Sequence, residues 1–335
     1  MRVGIDARKI ADFGIGTYIR GLLKGLVELD TGDQYVAFAP AGAPVPDGVE
    51  HVILDAPHYS VRELLIVGRA ADRARLDVFH APHYVVPVTR VPLVVTIHDL
   101  IHLHQPMRNP LAPLYARVMI RRAIRRARRV LTVTDAVKAQ LERELGARNV
   151  IVTPNGAPST PRNSEERRGT EERFFLYVGN DKPHKNVDAL VDAFAQVADA
   201  RLILVGGSFD RFRGRARIDV RGFVSDDELS SLYARALALV MPSHEEGFGL
   251  PALEAMAHGT AVIASRDAAL MEVTGDAALH VDARDVRALA DAMLRVMRDG
   301  ALRAQLAANG IARARLFTWK RCAEAARQAY LDARW

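Results

Sequence analysis

Cysteine is almost absent from the sequence, with only Cys322 among 335 residues. A disulfide within the chain and a metal site built from cysteines are therefore excluded, and a reducing compartment fits best. Long apolar runs are absent too, since none approaches the roughly 18 residues that a membrane-spanning helix needs. The first residues, MRVGIDAR, indicate a strand and not a secretory leader. We therefore predict a cytoplasmic protein.

Positive charge is in moderate excess, with 46 Lys and Arg against 40 Asp and Glu, which gives a formal net charge of +6. Such an excess favours anionic partners, among them nucleotides, phosphates, membrane surfaces and nucleic acids, without selecting one of them. Hydrophobic residues make up 49% of the chain, which is enough to bury sizeable cores. The length favours two domains over one.

Strand and helix patterns alternate along both halves of the chain. Continuous apolar runs such as RVGIDA, PLVVTIHD and LALVMPS alternate with helical spacing such as that of residues 17–29. Apolar strands separated by helices are typical of a parallel sheet covered on both faces. Residues 157–173 are polar and contain prolines, so they predict a linker. We predict an α/β fold of two doubly wound, Rossmann-like domains, with ligands outside the carboxyl ends of the strands and a cleft between the domains as the default site.

The stretch HEEGFGLPALEAMAHG, residues 244–259, places two carboxylates, Glu246 and Glu254, between apolar segments. Pro251 favours the start of a helix, so the backbone amides before it attract anions and hydroxyl oxygens. Glu246 is expected to hold ligand hydroxyls beside those amides, and Glu254 hydroxyls further along the ligand. The plain alternative is that both glutamates only cap or solvate the helix. The candidate contacts here are Glu246, Gly247, Phe248, Gly249, Leu250 and Glu254.

This stretch resembles the E-x7-E signature of retaining nucleotide-sugar glycosyltransferases of GT-B architecture, in particular glycosyltransferase family four. Further segments resemble motifs of that family in the same order: FGIGTY (13–18), TIHDL (96–100), TPNG (153–156), YVGNDKPHKN (177–186), RGFVSDDEL (221–229) and FTWKRCAEAARQAY (317–330). The resemblance implies two Rossmann-like domains facing across a cleft, with a C-terminal helix that crosses back to the first domain. The expected parts are an acceptor domain at 1–160, a donor domain at 161–316 and the crossover helix at 317–335.

Lys185 is the predicted contact for the donor diphosphate. An ammonium group at the start of a helix opposes the helix dipole, so an anion is expected beside it. The plain alternative is a surface lysine. The family often has an arginine where Asn180 or His184 stands in this sequence. Asn180 is kept as a donor contact, and either Lys182 or His184 can supply the second cation, which leaves that cation open.

The N-terminal half and the base-binding segment supply the remaining candidates. Gly14 and Gly16 follow the first strand and allow backbone amides to approach the diphosphate, although a plain turn explains a lone G-x-G equally well. His98 ends the strand PLVVTI, and the resemblance places it near the donor sugar; the alternative is a structural histidine. The main chain of Phe223 and Val224 is expected to meet the nucleotide base.

Seven arginines, from Arg117 to Arg129, surround a helical stripe of apolar residues. The plain interpretation is a core-packed helix with a solvated face, and the alternative is docking to anionic lipid on the inner face of the cytoplasmic membrane. Aromatic residues do not alternate with these arginines, so nucleic acid is not a predicted partner. No D-x-D sequence ends a strand, and the eleven histidines show no ligand spacing, so no obligatory metal or other cofactor is predicted.

The resemblance implies a retaining hexosyltransferase in which His98, Lys185 and Glu246 are catalytic, and the lack of a visible metal site predicts that it is metal-independent. A hexose moves from a nucleoside-diphosphate sugar to an acceptor hydroxyl. The combination GIDAR, GIGTY and HD resembles mannosyltransferases of surface-polysaccharide assembly, so GDP-mannose is the leading donor. The acceptor is expected to be a saccharide or a lipid-linked sugar in polysaccharide, lipopolysaccharide or glycolipid synthesis. A GT-B-like nucleotide-sugar epimerase and a non-catalytic nucleotide-sugar binding protein are the alternatives.

Overall fold

The computed structural model describes residues 1–56, 60–105, 112–158 and 173–334. The chain divides into two compact units, one formed by Met1–Gly156 with Trp319–Trp335 and the other by Ala157–Thr318. The predicted linker at 157–173 lies almost wholly outside the described residues. None of the helices in the described ranges is long and apolar enough to cross a membrane.

The first unit is built on a seven-stranded sheet in which the described pairings are parallel. Its strands are β1 (Arg2–Asp6), β2 (Gln34–Ala39), β3 (Glu50–Ile53), β4 (Val78–Ala81), β5 (Leu93–Thr96), β6 (Arg129–Thr132) and β7 (Val150–Val152). They lie in the order β3-β2-β1-β4-β5-β6-β7, so the strand order reverses between β1 and β4. In open parallel sheets ligands bind at such a reversal, outside the carboxyl ends of the strands.

Helices cover both faces of this sheet. They are α1 (Ile15–Glu28), α2 (Val61–Arg73), α3 (Ile101–His104), α4 (Ala112–Arg126), α5 (Asp135–Leu145) and, from the end of the chain, α12 (Trp319–Ala333). Successive side chains of a strand point to opposite faces. On β5, Val94 is therefore buried with residues of α1 and α12, whereas Val95 is buried with residues of α2, α4 and α5.

The C-terminal helix α12 packs on α1 within the first unit, as predicted. A Cβ atom added at Gly21 would lie 2.2 Å from the ring of Trp319, and one added at Gly25 would lie 2.5 Å from the main-chain oxygen of Trp319. Two glycines about one turn apart on α1 thus provide the room in which the start of α12 packs.

The second unit is built on a six-stranded parallel sheet in the order β10-β9-β8-β11-β12-β13. Its strands are β8 (Phe174–Asn180), β9 (Arg201–Gly207), β10 (Ile218–Gly222), β11 (Ala238–Met241), β12 (Ala261–Ser265) and β13 (Leu279–Val281). Its helices are α6 (Val187–Phe194), α7 (Asp226–Arg235), α8 (Leu250–Ala257), α9 (Ala268–Thr274), α10 (Val286–Arg298) and α11 (Gly300–Ala314). Here the strand order reverses between β8 and β11. The predicted fold class, two doubly wound Rossmann-like domains, is confirmed.

Candidate active site

Two loops leave the carboxyl ends of β8 and β11, the neighbouring strands at which the second sheet reverses. Lys185 lies on the first loop, at the end of the 3-10 turn Pro183–Lys185, and Glu246 lies on the second loop. The Nζ atom of Lys185 is 2.7 Å from Oε1 of Glu246 and 2.8 Å from Oε2. Two predicted catalytic residues therefore form an ion pair at the edge where ligands bind in sheets of this kind.

Further hydrogen bonds hold the two loops together. The main-chain N–H of His244 donates to the carbonyl of His184 over 2.7 Å. The side-chain amide of Asn186 donates to the carbonyl of Pro242 over 3.1 Å. Asn186 directly follows Lys185 and has a φ of 56°, in the left-handed region that asparagine adopts more readily than most residues. The position of Lys185 therefore does not depend on its ion pair alone.

Glu246 is a buried carboxylate, only 7% exposed, and its oxygens are hydrogen-bonded. The hydroxyl of Ser243 donates to Oε1 of Glu246 over 2.7 Å, beside the ammonium of Lys185. The hydroxyl of Ser265, at the end of β12, donates to the main-chain oxygen of Ser243 over 2.5 Å. A buried carboxylate without such partners is strongly unfavourable. The hydrogen bonds from Lys185 and Ser243 therefore hold the Glu246 carboxylate in a fixed orientation.

Asp267 is a neighbour of Glu246 that the sequence reasoning missed. It precedes α9, and its Oδ1 accepts from the main-chain N–H groups of Ala269 (3.0 Å) and Leu270 (3.1 Å). Burial, followed by the negative charge of Glu246, raises the pKa of Asp267 to about 6. The signal that was available was local: an aspartate between an apolar strand and a helical pattern is a typical N-cap.

The predicted helix after Glu246 begins at Leu250, with Pro251 in its first turn and Gly249 as its N-cap. Gly249 has a φ of 86°, and an added Cβ would lie 2.4 Å from Cδ2 of Leu270, so packing alone already requires glycine here. Phe248 is 4% exposed, which limits any ligand contact of this residue to its main chain. Gly247 is also buried. As the N-cap, Gly249 has no side chain that could accept from the N–H groups of the first turn.

The two candidates for the second phosphate cation differ in exposure. Lys182 is exposed, and its main-chain N–H donates to Oδ1 of Asn180 over 3.2 Å. His184 is 6% exposed and therefore buried. The carbonyl of Asn180 accepts from the phenol of Tyr177 over 2.9 Å, which fixes the end of β8. Of the two candidates, only Lys182 is accessible to a ligand from solvent.

The predicted contacts for the nucleoside lie on α8 and on the segment before α7. Phe223 is 63% exposed and Val224 is half-buried. Ser225 then caps α7, because its hydroxyl accepts from a main-chain N–H of the first turn. Glu254, one turn into α8, accepts from the phenol of Tyr233 on α7 over 2.8 Å. The sequence reasoning did not include Tyr233.

The two predicted glycines of the first unit have different structural reasons. Gly14 is the N-cap of α1 with a φ of 67°, and an added Cβ would meet nothing within 4 Å among the described residues. At Gly16 an added Cβ would lie 2.6 Å from the carbonyl oxygen of Ile10. Gly16 is therefore explained by close packing, and Gly14 by its backbone conformation in an open position.

His98 lies just beyond the carboxyl end of β5. Its Nε2–H donates to the carbonyl of Pro82 over 3.1 Å, and its ring packs edge-on against Tyr18 with centroids 4.7 Å apart. Burial lowers the pKa of His98 below its ordinary value, so the imidazole is neutral near pH 7. With Nε2 protonated, Nδ1 is an acceptor, and no group in the described ranges donates to it.

Two other histidines near His98 use both ring nitrogens within the protein. Burial lowers the pKa of His80 to about 3, so it is a neutral structural residue. His83 accepts a main-chain N–H at Nδ1 and donates from Nε2 to a carboxylate. His98 thus differs from both in keeping a ring nitrogen for a ligand. The partners are Tyr330 and Thr96 for His80, and Val85 and Asp6 for His83.

A buried ion cluster at the carboxyl end of β1 also escaped the sequence reasoning. Arg8 binds both carboxylate oxygens of Asp6 over 2.7 and 2.8 Å and Oε1 of Glu63 over 2.7 Å. Burial alone would raise the pKa of Asp6, but the hydrogen bonds from His83 and Arg8 hold it well below its ordinary value. Because Arg8 is matched by two carboxylates, this cluster has no uncompensated positive charge for an anionic ligand.

No cluster of three or more His, Cys, Asp or Glu side chains suited to a metal ion occurs in the part of the chain that the structure describes.

Comparison with known proteins identifies the class. The sequence matches the family model Glycosyltransferase Family 4 over residues 14–160 and the model Glycosyl transferases group 1 over residues 160–313. The O-antigen chain mannosyltransferase B of Escherichia coli is 30% identical over 280 residues, which cover 76% of this chain and 74% of that relative. The chain therefore belongs to the family 4 glycosyltransferases.

Solved structures agree with this assignment at the level of the fold. Sucrose-phosphate synthase from Thermosynechococcus elongatus is similar with a TM-score of 0.82 and 24% identity, covering 99% of this chain and 98% of that one. WaaG, a glycosyltransferase involved in lipopolysaccharide biosynthesis, is similar with a TM-score of 0.80 and 14% identity, covering 99% of both chains. The fold is thus the GT-B fold expected from the sequence.

Proposed function

We propose that this glycosyltransferase moves a hexose from a nucleoside-diphosphate sugar to an acceptor hydroxyl, with retention of the anomeric configuration. The proposal is carried by the Lys185–Glu246 pair at the strand reversal of the second sheet. A diphosphate needs a cation, and a sugar needs an acceptor for its hydroxyls. Lys185 supplies the cation and Glu246 the acceptor, in direct contact with each other. Membership of family 4 supports the binding of a sugar nucleotide by these two residues.

In the proposed reaction Lys185 stabilises the departing diphosphate. The acceptor oxygen bonds to the anomeric carbon on the face that the diphosphate leaves, and the acceptor proton passes to a phosphate oxygen. A cation about 4 Å from the developing charge contributes about 4 kcal/mol at an effective dielectric near 20, against about 1 kcal/mol in bulk water. Exclusion of water from Lys185 therefore determines how much it contributes to the rate.

The other groups of the second unit bind the donor in this proposal. Glu246 holds hexose hydroxyls, and main-chain N–H groups before α8, at residues 247–250, meet phosphate or hydroxyl oxygens. Glu254 holds the ribose, and the main chain of Phe223 and Val224 meets the base. Asn180 and the exposed Lys182 lie on the loop of Lys185, and we assign Lys182 as the second phosphate cation.

In the first unit we assign His98 a hydrogen bond from a sugar hydroxyl to Nδ1. The Pro82 carbonyl fixes the tautomer that makes Nδ1 an acceptor, and Tyr18 fixes the plane of the ring. We propose that the main chain at Gly14, at the start of α1, approaches the donor diphosphate. The space around the Cα of Gly14 is open among the described residues. Gly16 serves the same turn by packing.

Mannose is the proposed hexose and GDP-mannose the proposed donor. The O-antigen mannosyltransferase of Escherichia coli, at 30% identity over three quarters of the chain, supports a mannosyl donor and a saccharide or lipid-linked acceptor of surface-polysaccharide assembly. We propose no obligatory metal ion, because a lysine and main-chain N–H groups meet the diphosphate. We also propose that the enzyme works in the cytoplasm.

The test is a product assay with purified protein. Thermal shift with GDP, UDP, ADP and their hexose derivatives selects the donor, and transfer to a mannose-terminated oligosaccharide is then followed by NMR of the new anomeric proton. The expected product is an α-mannoside formed only with acceptor. Conversion of the donor without acceptor identifies an epimerase. Binding of the donor with neither transfer nor slow hydrolysis identifies a non-catalytic binding protein. The epimerase result and the binding-protein result would each overturn the proposal.

We further propose that α4 docks on anionic lipid at the inner face of the cytoplasmic membrane. The structure divides its arginines into two sets. Arg122 and Arg126 point back into the first unit, where they donate to the carbonyls of Val86 (2.6 Å) and Thr89 (3.1 Å). Arg121 and Arg125 are exposed about a quarter-turn away around the helix, and Arg126 is exposed as well.

The exposed side of α4 combines these arginines with apolar residues. Leu114, Tyr115 and Val118 are 60%, 43% and 54% exposed. Leu114, Val118, Arg121 and Arg125 follow the spacing i, i+4, i+7 and i+11, so they line one side of the helix. The helix contains no acidic residue. Apolar side chains beside unopposed arginines are complementary to an anionic lipid surface and to its acyl boundary.

Co-sedimentation with vesicles tests this docking. Binding to vesicles of phosphatidylcholine with 30% phosphatidylglycerol is expected, with little binding to phosphatidylcholine alone. Arg121→Glu with Arg125→Glu should abolish it, and Val118→Asp should weaken it. The matched control, Arg295→Glu with Arg298→Glu on α10, makes the same charge change on two exposed residues elsewhere. An equal loss of vesicle binding in the control would show that binding depends only on the net charge of the protein, and it would refute a docking role of α4.

A further inference from the structure

Glu254 is held by a phenol from another helix. The Tyr233 hydroxyl on α7 donates to Oε2 of Glu254 over 2.8 Å. Tyr233 is 1% exposed, and burial, followed by the charge of Glu254, raises the pKa of its phenol well above the ordinary value. The phenol therefore remains a donor at physiological pH. A carboxylate offers about four lone-pair sites, and the Tyr233 hydroxyl occupies one of them.

Tyr233 is itself fixed by the end of α8. The ring of His258 stacks on it with centroids 5.3 Å apart and an interplanar angle of 27°. His258 donates from Nδ1 to the main-chain oxygen of Glu254 (2.8 Å), which leaves Nε2 to accept from Ser230 (3.2 Å). The hydroxyl of Thr260 donates to the main-chain oxygen of Tyr233 over 2.5 Å. The phenol thus has one defined position relative to the Glu254 carboxylate.

Helix α7 also connects two parts of the proposed nucleoside site. It begins at its N-cap Ser225, directly after Phe223 and Val224, and Tyr233 follows eight residues later. At 1.5 Å of rise per residue this is about 12 Å along one rigid helix. The same helix therefore starts beside the proposed base contact and ends in a hydrogen bond to the proposed ribose contact.

We propose that Tyr233 is a positioning residue that orients the Glu254 carboxylate for the ribose diol and so makes the enzyme select ribonucleoside over 2′-deoxyribonucleoside diphosphates. The inference rests on the proposed function, which assigns Glu254 to the ribose. A carboxylate accepts hydrogen bonds from two vicinal hydroxyls only when both of its oxygens are directed towards the diol. The phenol restrains rotation about the last side-chain bond of Glu254, and its removal releases that rotation.

Calorimetry with four probes tests this: GDP, 2′-deoxy-GDP, UDP and 2′-deoxy-UDP. The wild-type protein should prefer the ribose form of whichever base it binds by about tenfold or more. Tyr233→Phe should lower the affinity for the ribose form by about five- to tenfold and change the deoxy form little. The matched control is Tyr330→Phe, which removes another buried phenol, hydrogen-bonded to His80 in the first unit. It should leave both affinities unchanged.

A double-mutant cycle separates this role from a merely structural one. In a Glu254→Ala background, Tyr233→Phe should cause no further loss of affinity, because Tyr233 acts only through Glu254. A further loss would overturn the proposal. Glu254→Asp, which shortens the carboxylate without touching Tyr233, should reproduce the loss of ribose selectivity if Tyr233→Phe does not fold.

The failure of this inference is distinguishable from failure of the proposed function. If the wild-type protein binds none of the four nucleotides, the proposed donor site is wrong. If it binds them with no preference for ribose, or if Tyr233→Phe keeps the full preference, nucleotide binding stands and only the positioning role is overturned.

Discussion

Lys185 and Glu246 form an ion pair in which the ammonium of Lys185 contacts both carboxylate oxygens of Glu246. A diphosphate that binds at this edge must therefore share or replace Glu246 as the partner of Lys185. We therefore expect the two residues to have opposite effects on anion affinity, although both are assigned to one reaction. Single substitutions of Lys185 and Glu246 can therefore distinguish an effect on donor affinity from an effect on the transfer rate.

Replacement of Glu246 by glutamine should abolish transfer and yet preserve or increase nucleoside-diphosphate affinity. Transfer should fall by about 10² or more, because an orienting group for the transition state is lost. The affinity should rise by about two- to fivefold, because a competing negative charge is removed. Rates come from the product assay and affinities from calorimetry. Glu245→Gln is the matched control, and wild-type turnover in Glu246→Gln would end the assignment.

Lys185→Ala should weaken nucleoside-diphosphate binding by about ten- to a hundredfold, since a charge-assisted contact to phosphate is lost. Lys182→Ala should cause a smaller loss that disappears in 0.5 M salt, because exposed charges are screened. Lys24→Ala, an exposed lysine of α1, is the control for net charge. Unchanged calorimetric affinity in Lys185→Ala would contradict the proposed diphosphate site.

Transfer activity should survive removal of divalent cations. The proposed diphosphate contacts are a lysine and main-chain N–H groups, which need no bridging ion. The measurement is the initial rate after dialysis against EDTA, with and without added Mg²⁺ or Mn²⁺. Complete loss that either metal restores would show that a metal ion is part of the donor site.

Acid should destabilise the first unit through His80. Its pKa is about 3 in the folded protein against 6.5 ordinarily, because burial disfavours the charged form. Between pH 6.5 and 3 the unfolded chain binds a proton at His80 and the folded protein does not. The stability that is present above pH 6.5 is therefore lost as the pH falls, and the free energy of unfolding decreases by about 1.4 kcal/mol per pH unit. His80→Gln should flatten this slope.

Tryptophan emission is a suitable readout for that pH dependence. The sequence has two tryptophans and neither falls in Ala157–Thr318, so the emission of Trp319, which packs on α1, reports on the first unit during urea unfolding. The matched control is His51→Gln, because His51 is exposed. A slope that stays the same in His80→Gln would mean that other groups, such as the Asp6 cluster, account for the acid sensitivity.

Much of the fold followed from local patterns, because apolar runs and helical spacing are written into short windows of sequence. The strand β7 was not predicted. Val150–Val152 is only three residues long, and a periodic pattern does not show in so short a segment. Its place in the sheet is set by pairing with β6, which no local window contains.

The site was predictable only in part. Family motifs pointed to Lys185 and Glu246 separately, but 61 residues separate them, and their direct contact depends on β8 and β11 being neighbours. Asp267 and Tyr233 carry no motif of their own. They act through contacts that the tertiary fold creates. The functional roles of the predicted residues stay predictions until the substitutions above are measured.

The placement of α12 has a consequence for synthesis on the ribosome. Residues Ala157–Thr318 form one uninterrupted unit, which is available for folding as soon as they have emerged. The first unit is discontinuous, and its α1 surface around Gly21 and Gly25 stays uncovered until the last helix is made. The half of the protein that is translated first is thus the half that matures last, and nascent chains stalled before Trp319 should be its most chaperone-dependent form.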